Sequence, residues 1–216
     1  MSEAELGALA PYWHLFEALG SDASIGEVAV SDGAESPLLY IGAGLGTYPA
    51  ALAKCVETVM AIDSSLEMAL CANTRVPTVV ADVRALPFGD ATFRGVVCAT
   101  GVMELLGNTI GLAYRELGRV ARGAPIHVAA FIDAGIEIDR YAFVAEWLAG
   151  RLRDETLDRL AVETGDPIRA AELVTTAMSR YAVGIAERTI IDAAASASLS
   201  TRRLLNERGF MLWRHE

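Results

Sequence analysis

The sequence predicts an α/β fold with a doubly wound, mostly parallel sheet, and three observations predict it. Apolar runs of strand length alternate with helix-like segments through residues 36–131. A glycine-rich turn follows the first of these runs, and acidic residues lie at the ends of the next two. The runs are almost unbroken in their apolar character, as strands are when both faces of a parallel sheet are covered.

The elements follow in order. Ser36–Ile41, Val56–Ile62, Thr78–Ala81, Gly95–Ala99 and Pro125–Phe131 read as five strands. Tyr48–Cys55 and Ser65–Asn73 read as helices because alanine and leucine dominate them. Thr109–Arg122 reads as a third helix, with Ile110, Ala113, Leu117 and Val120 on one face. Strand and helix alternating in this way imply right-handed crossovers. After Asp133 the pattern turns helical, over Glu137–Leu160 and again from Pro167, a first-turn proline, to about Ala197. Leu199–Glu216 reads as a short helix capped by Ser200 and ending at Gly209, then one strand over Phe210–Arg214. The expected organisation is a single domain: an N-terminal helical lid (1–35), a core (36–133), a helical cover inserted after the fifth strand (134–198), and a final helix and strand (199–216).

Composition narrows the function classes. With 216 residues, a net charge of -10, one lysine (Lys54) and no basic cluster, the chain is poorly suited to a phosphate backbone. No apolar run approaches the roughly 20 residues that span a bilayer, and the N-terminus lacks the pattern of a signal peptide. Cys55, Cys71 and Cys98 suggest reduced thiols and a cytoplasmic protein. The three histidines have no partner at ligand spacing, so no metal site is expected.

The chemistry concentrates in three motifs. Leu38–Thr47 carries Gly42, Gly44 and Gly46 in a Gly-x-Gly-x-Gly turn, where backbone can approach a ligand closely and a following helix offers N–H groups. A dinucleotide fingerprint would want a glycine at Thr47. Asp63 closes the second strand 21 residues after Gly42, where a carboxylate can accept both hydroxyls of a ribose. Asp82 follows the third strand in Ala81-Asp82-Val83-Arg84-Ala85-Leu86-Pro87-Phe88, with Phe93 before the fourth.

In this combination residues 36–131 resemble the class I S-adenosylmethionine-dependent methyltransferases, in particular the small-molecule branch of the ubiquinone/menaquinone-biosynthesis type. The resemblance implies a Rossmann-like fold, S-adenosylmethionine as cofactor and direct in-line methyl transfer to a small organic acceptor. It assigns the methionine end to Gly42, Ala43, Gly44 and Gly46, the ribose to Asp63 with Ser64 beside it, and the adenine amino group to Asp82. Val83 would pack on the ring, and Ala99 would border the site from the fourth strand. Leu117-Gly118-Arg119-Val120 with Gly123 also resembles the family's helix and turn before strand five.

The sequence departs from the family in four places. Tyr40 stands where an acid usually helps to organise the amino-acid end of the cofactor, and Arg94 replaces an Asp. The turn before strand five is reduced to Arg122-Gly123-Ala124-Pro125. The final strand of the usual seven is missing from the pattern, leaving a sheet edge that a second copy in a homodimer could cover. Glu104, just after strand four, and His14, in the N-terminal segment, are the candidate general bases. His127 reads as a core histidine, and Tyr12, Trp13, Tyr141 and Trp147 read as packing or acceptor-pocket aromatics. A second reading, a catalytically degenerate member kept as a binding or scaffolding module, rests on Tyr40 and the short C-terminus. A nucleotide-dependent oxidoreductase is disfavoured by Thr47.

Overall fold

In a computed structural model of the chain, the described residues are Pro11, 23–99, 109–131, 154–173, 185–207 and 210–216. They fall into two compact units, one built from Met1–Ser21 and Gly135–Val183, the other from Asp22–Ala134 and Gly184–Glu216. Among the described residues no helix is long and apolar enough to cross a membrane.

The larger unit is an α/β sheet structure. Its elements are α1 (Ala23–Ser31), β1 (Leu38–Ile41), α2 (Thr47–Leu52), β2 (Val59–Asp63), α3 (Leu66–Ala72), β3 (Thr78–Val80), β4 (Gly95–Ala99), α4 (Thr109–Ala121) and β5 (Ile126–Phe131). Seven strands form one sheet in the order β3-β2-β1-β4-β5-β7-β6, where β6 is Thr201–Glu207 and β7 is Phe210–His215. β1 to β5 run parallel, and β7 is antiparallel to both its neighbours. β1 and β4 are buried along their whole length, which accounts for their continuous apolar character.

Alternate residues face opposite layers. Leu38, Tyr40, Val97, Ala99, Ala129 and Leu212 pack in one cluster with Ile25 and Ala29 of α1 and Leu52 of α2. On the other face, α4 places buried Ile110, Ala113, Tyr114 and Leu117 one helical turn apart, as its periodicity predicts. A helix at Glu187–Ser196, α5, packs on α4, where a Cβ at Gly111 would meet Ser196 Oγ at 3.7 Å.

Two sequence expectations at the C-terminus need correction. Residues 201–207 form a strand, not a helix, and the seventh strand is present. A β-bulge between Arg203 and Leu205 half-buries the adjacent leucines Leu204 and Leu205 together, and this breaks the period-2 pattern by which a strand is recognised. Arg202 reaches Asp32 at 2.7 Å, whereas Arg203 pairs with Glu187 of α5. Ser200 does not cap a helix; its backbone exchanges hydrogen bonds with Glu216. The edge expected to need a second subunit is therefore filled by β6. The helix expected from Pro167 to Ala197 is also not one element, because Ile185 and Ala186 are extended before α5 begins.

In the smaller unit, a helix over Asp154–Thr164 ends at Gly165, whose φ is +67°. The next helix starts at Pro167, as the sequence predicts, with Asp166 Oδ1 accepting from Ile168 N at 2.9 Å. Leu160, Ala170 and Leu173 are buried.

Two buried histidines sit on opposite faces of the sheet. His127 on β5 is fully buried, the core histidine the sequence predicts, and its Nε2 lies 3.0 Å from Asp32 at the end of α1. His215 on β7 is held between two hydroxyls, Tyr114 at Nε2 (3.2 Å) and Thr201 at Nδ1 (3.0 Å). Burial pushes the His215 imidazole down to about 4, with the nearby His127 adding to the shift. An unfolded chain takes up that proton near pH 6.5, while the folded one resists it until about pH 4, so stability is lost as pH falls. Between pH 7 and 5 this linkage is worth about 2 kcal/mol. Urea unfolding should show this drop in the wild type and a clearly smaller one in His215→Gln; equal drops would refute the assignment.

Candidate cofactor site

The site is built along the carboxyl ends of three adjacent strands. The glycine turn leaves β1, Asp63 ends β2, and Asp82 follows β3. At the usual strand spacing these features span about 10 Å, the length of a nucleoside. They border the point where the strand order reverses between β1 and β4, the crevice in which open α/β sheets bind ligands.

The turn is held from below and from the side. Gly42 and Ala43 both donate backbone N–H to Ile62 O at 2.9 Å. Gly44 N donates to Asp63 Oδ2 at 2.9 Å, and Ser65 N donates to Asp63 Oδ1 at 2.9 Å. One carboxylate thus ties the turn after β1 to the turn after β2. Gly42, Gly44 and Gly46 all have positive φ (79°, 54° and 84°). At Gly46 there is a second constraint, since an added Cβ would lie 2.8 Å from Ala72 Cα. The helix that follows, α2, is only six residues long, so the expected helix-terminus contribution is small.

The segment around Asp82 is fixed by two residues of α4, Glu116 and Arg119, to which the sequence motifs assign no role there. Glu116 on α4 accepts from Leu86 N at 2.7 Å, and Arg119 donates to Phe88 O at 2.7 Å and Leu86 O at 3.1 Å. Arg119 also pairs with Glu116 at 2.7 Å and Asp90 at 3.2 Å. The Arg119 guanidinium holds the Glu116 carboxyl below its usual range. Leu86 and Phe93 are buried, and the Phe88 and Phe93 rings meet edge to face at 5.0 Å. Glu116 and Arg119 form an i, i+3 pair beside the apolar face of α4, a spacing that is legible in the sequence.

Asp82 itself accepts from Arg84 N at 2.8 Å and from Arg84 Nε at 2.9 Å, and its Oδ2 also pairs with Arg84 Nη2. This guanidinium lowers the Asp82 carboxyl. Val83 is half-buried beside it and Ser64 is exposed. The helix cap next to Asp63 is Ser65, whose Oγ accepts from Met68 N at 3.3 Å. Ala99 is buried at the end of β4. Tyr40 is buried in the apolar cluster with α1 and α2, beside a cleft of about 30 Å³ bordered by Gly26, Tyr48 and Leu52. Glu104, His14, Tyr12, Trp13, Tyr141 and Trp147 lie outside the described residues.

The strand order and the antiparallel β7 define a Rossmann-like methyltransferase fold. Residues 39–124 match the family described as methyltransferase domain. Among curated proteins none matches. Solved structures do. The chain solved in complex with the Haloferax volcanii Trm112 methyltransferase activator is 14% identical, with a TM-score of 0.65 over 97% of this chain and 96% of that one. An S-adenosylmethionine-dependent methyltransferase from Thermotoga maritima is 14% identical, with a TM-score of 0.60 over 98% of both chains. Another, from Aquifex aeolicus, is 15% identical, with a TM-score of 0.59 over 94% of this chain and 96% of that one.

Gly46 and Gly123 have nearly the same φ, +84° and +83°, but nothing lies within 4 Å of a Cβ at Gly123. Gly123→Ala should cost only backbone strain, about 1–2 kcal/mol. Gly46→Ala adds overpacking against Ala72, for a total on the order of 2–5 kcal/mol. Denaturant unfolding of both variants checks this, and equal losses would show that packing is not the constraint at Gly46. For the Asp82 segment, Glu116→Ala should speed hydrogen exchange at the Leu86 amide while the Ala61 amide, which donates to Pro77 O in the sheet, stays protected.

Proposed function

We propose that the protein transfers a methyl group from S-adenosylmethionine to a small organic acceptor, with the cofactor lying across the ends of β1, β2 and β3. In this reading Gly42, Ala43, Gly44 and Gly46 take the methionine end, Asp63 and Ser64 the ribose, and Asp82 and Val83 the adenine. The observation that carries it is the Asp63 carboxylate, which is fixed by the backbone N–H groups of Gly44 and Ser65 yet remains partly exposed. A preorganised acceptor of this kind suits a pair of ribose hydroxyls. When bound, the cofactor supplies an electrophilic methyl carbon on a sulfonium. The chain's part is to hold and orient its partners, since proximity and exclusion of water provide much of the acceleration in such a displacement. Glu104 and His14 are the candidates for removing a proton from the acceptor. A small acceptor is favoured over nucleic acid by the net charge of -10 and the absence of basic clusters in the sequence.

A second reading, a degenerate member that binds without turnover, is favoured by one observation: Tyr40, where the family usually has an acid, is buried in apolar core. Isothermal titration separates the two stages. The wild type should bind S-adenosylmethionine, and Asp63→Asn should weaken binding by about 10- to 100-fold, the range for losing hydrogen bonds to a charged group. No heat and no thermal shift at millimolar cofactor would sink the binding site. Binding without methyl transfer to any of a panel of small hydroxyl, amine and thiol acceptors would favour the degenerate reading.

A further inference from the structure

The Asp82 carboxylate, assigned above to the adenine amino group, already has a ligand from its own chain. Arg84, two residues on, donates its backbone N–H to Oδ1 at 2.8 Å and its Nε at 2.9 Å to both oxygens, while Nη2 pairs with Oδ2. Three N–H groups of Arg84, one of them shared, thus engage both oxygens of the carboxylate. The side chains are 43% and 38% exposed, so the pair can open toward solvent. Arg119 differs: its guanidinium is anchored to two backbone carbonyls and two carboxylates.

We propose that Arg84 is an internal competitor for Asp82, setting the affinity and base selectivity of the cofactor site, because a purine amino group must displace or share its guanidinium. This rests on the reading of Asp82 as the adenine acceptor. A purine amino group is a neutral donor, whereas the guanidinium fork is charged and planar, so the competition favours the closed pair until the rest of the nucleoside is bound. The pair is exposed, and exposed pairs shift equilibria by about two- to fivefold, weakening in salt.

The test is titration with S-adenosylhomocysteine, which binds without reacting, on the full chain. At about 50 mM NaCl, Arg84→Ala should bind it about two- to fivefold more tightly than wild type, with Arg84→Lys in between. At about 500 mM NaCl the difference should close. Purine riboside, which lacks the exocyclic amino group, should show no gain in Arg84→Ala when adenosine does. If Arg84→Ala binds no more tightly, or purine riboside gains equally, Arg84 does not compete at Asp82. The control is Asp82→Asn. Weaker binding there with no gain in Arg84→Ala overturns the competition alone; unchanged binding in Asp82→Asn overturns the adenine reading, and the competition with it. Thermal melts of all variants confirm that folded protein is compared.

Discussion

Asp63 joins two turns that would otherwise be independent. Its carboxylate takes one N–H from the glycine turn and one from the start of α3, so the ends of β1 and β2 are set relative to each other by a side chain as well as by the sheet ladder. Charge-assisted bonds of this type are short and strong, and they act here on a turn whose glycines have positive φ. The Gly46 contact with Ala72 closes the same corner from the side, because it brings the turn against the end of α3. Remove the carboxylate and the turn loses its lateral anchor. The ladder bonds from Gly42 and Ala43 to Ile62 would then be its main hold.

A different scheme positions Asp82. No strand carries it, since β3 ends at Val80, so the segment to Phe93 depends on α4 for its order. Glu116 and Arg119 satisfy one N–H and two C=O groups of that segment, groups that would be costly if left unpaired and shielded from water. The helix thus acts on the cofactor side at a distance, through the loop rather than through contact.

Much of this was legible in the sequence. The five parallel strands and the helices between them followed from unbroken apolar runs and from the spacing on α4, because burial on both faces leaves a strong pattern. The glycine turn, Asp63 and Asp82 were legible because each must sit at a strand end. What escaped depended on contacts between distant residues. The bulge in β6 erased the alternation that marks a strand. Arg119 looks like an ordinary surface charge until the chain brings it to the Leu86 and Phe88 carbonyls. The cap of α3 is Ser65, and Asp63 uses its side chain to fix the turn before the helix.

The β6–β7 hairpin has a consequence for how the fold can vary. Its two strands are neighbours in sequence, with Glu207 opposite Phe210, so they can pair early and locally. Docking β7 on β5 then closes a loop between Phe131 and Phe210. Loop-closure entropy grows only with the logarithm of length, about 0.6 kcal/mol per doubling. The segment between the fifth and sixth strands can therefore lengthen, shrink or be exchanged at little cost to the sheet. That freedom lets the segment change while the sheet, and the glycine turn, Asp63 and Asp82 at its strand ends, stay as they are.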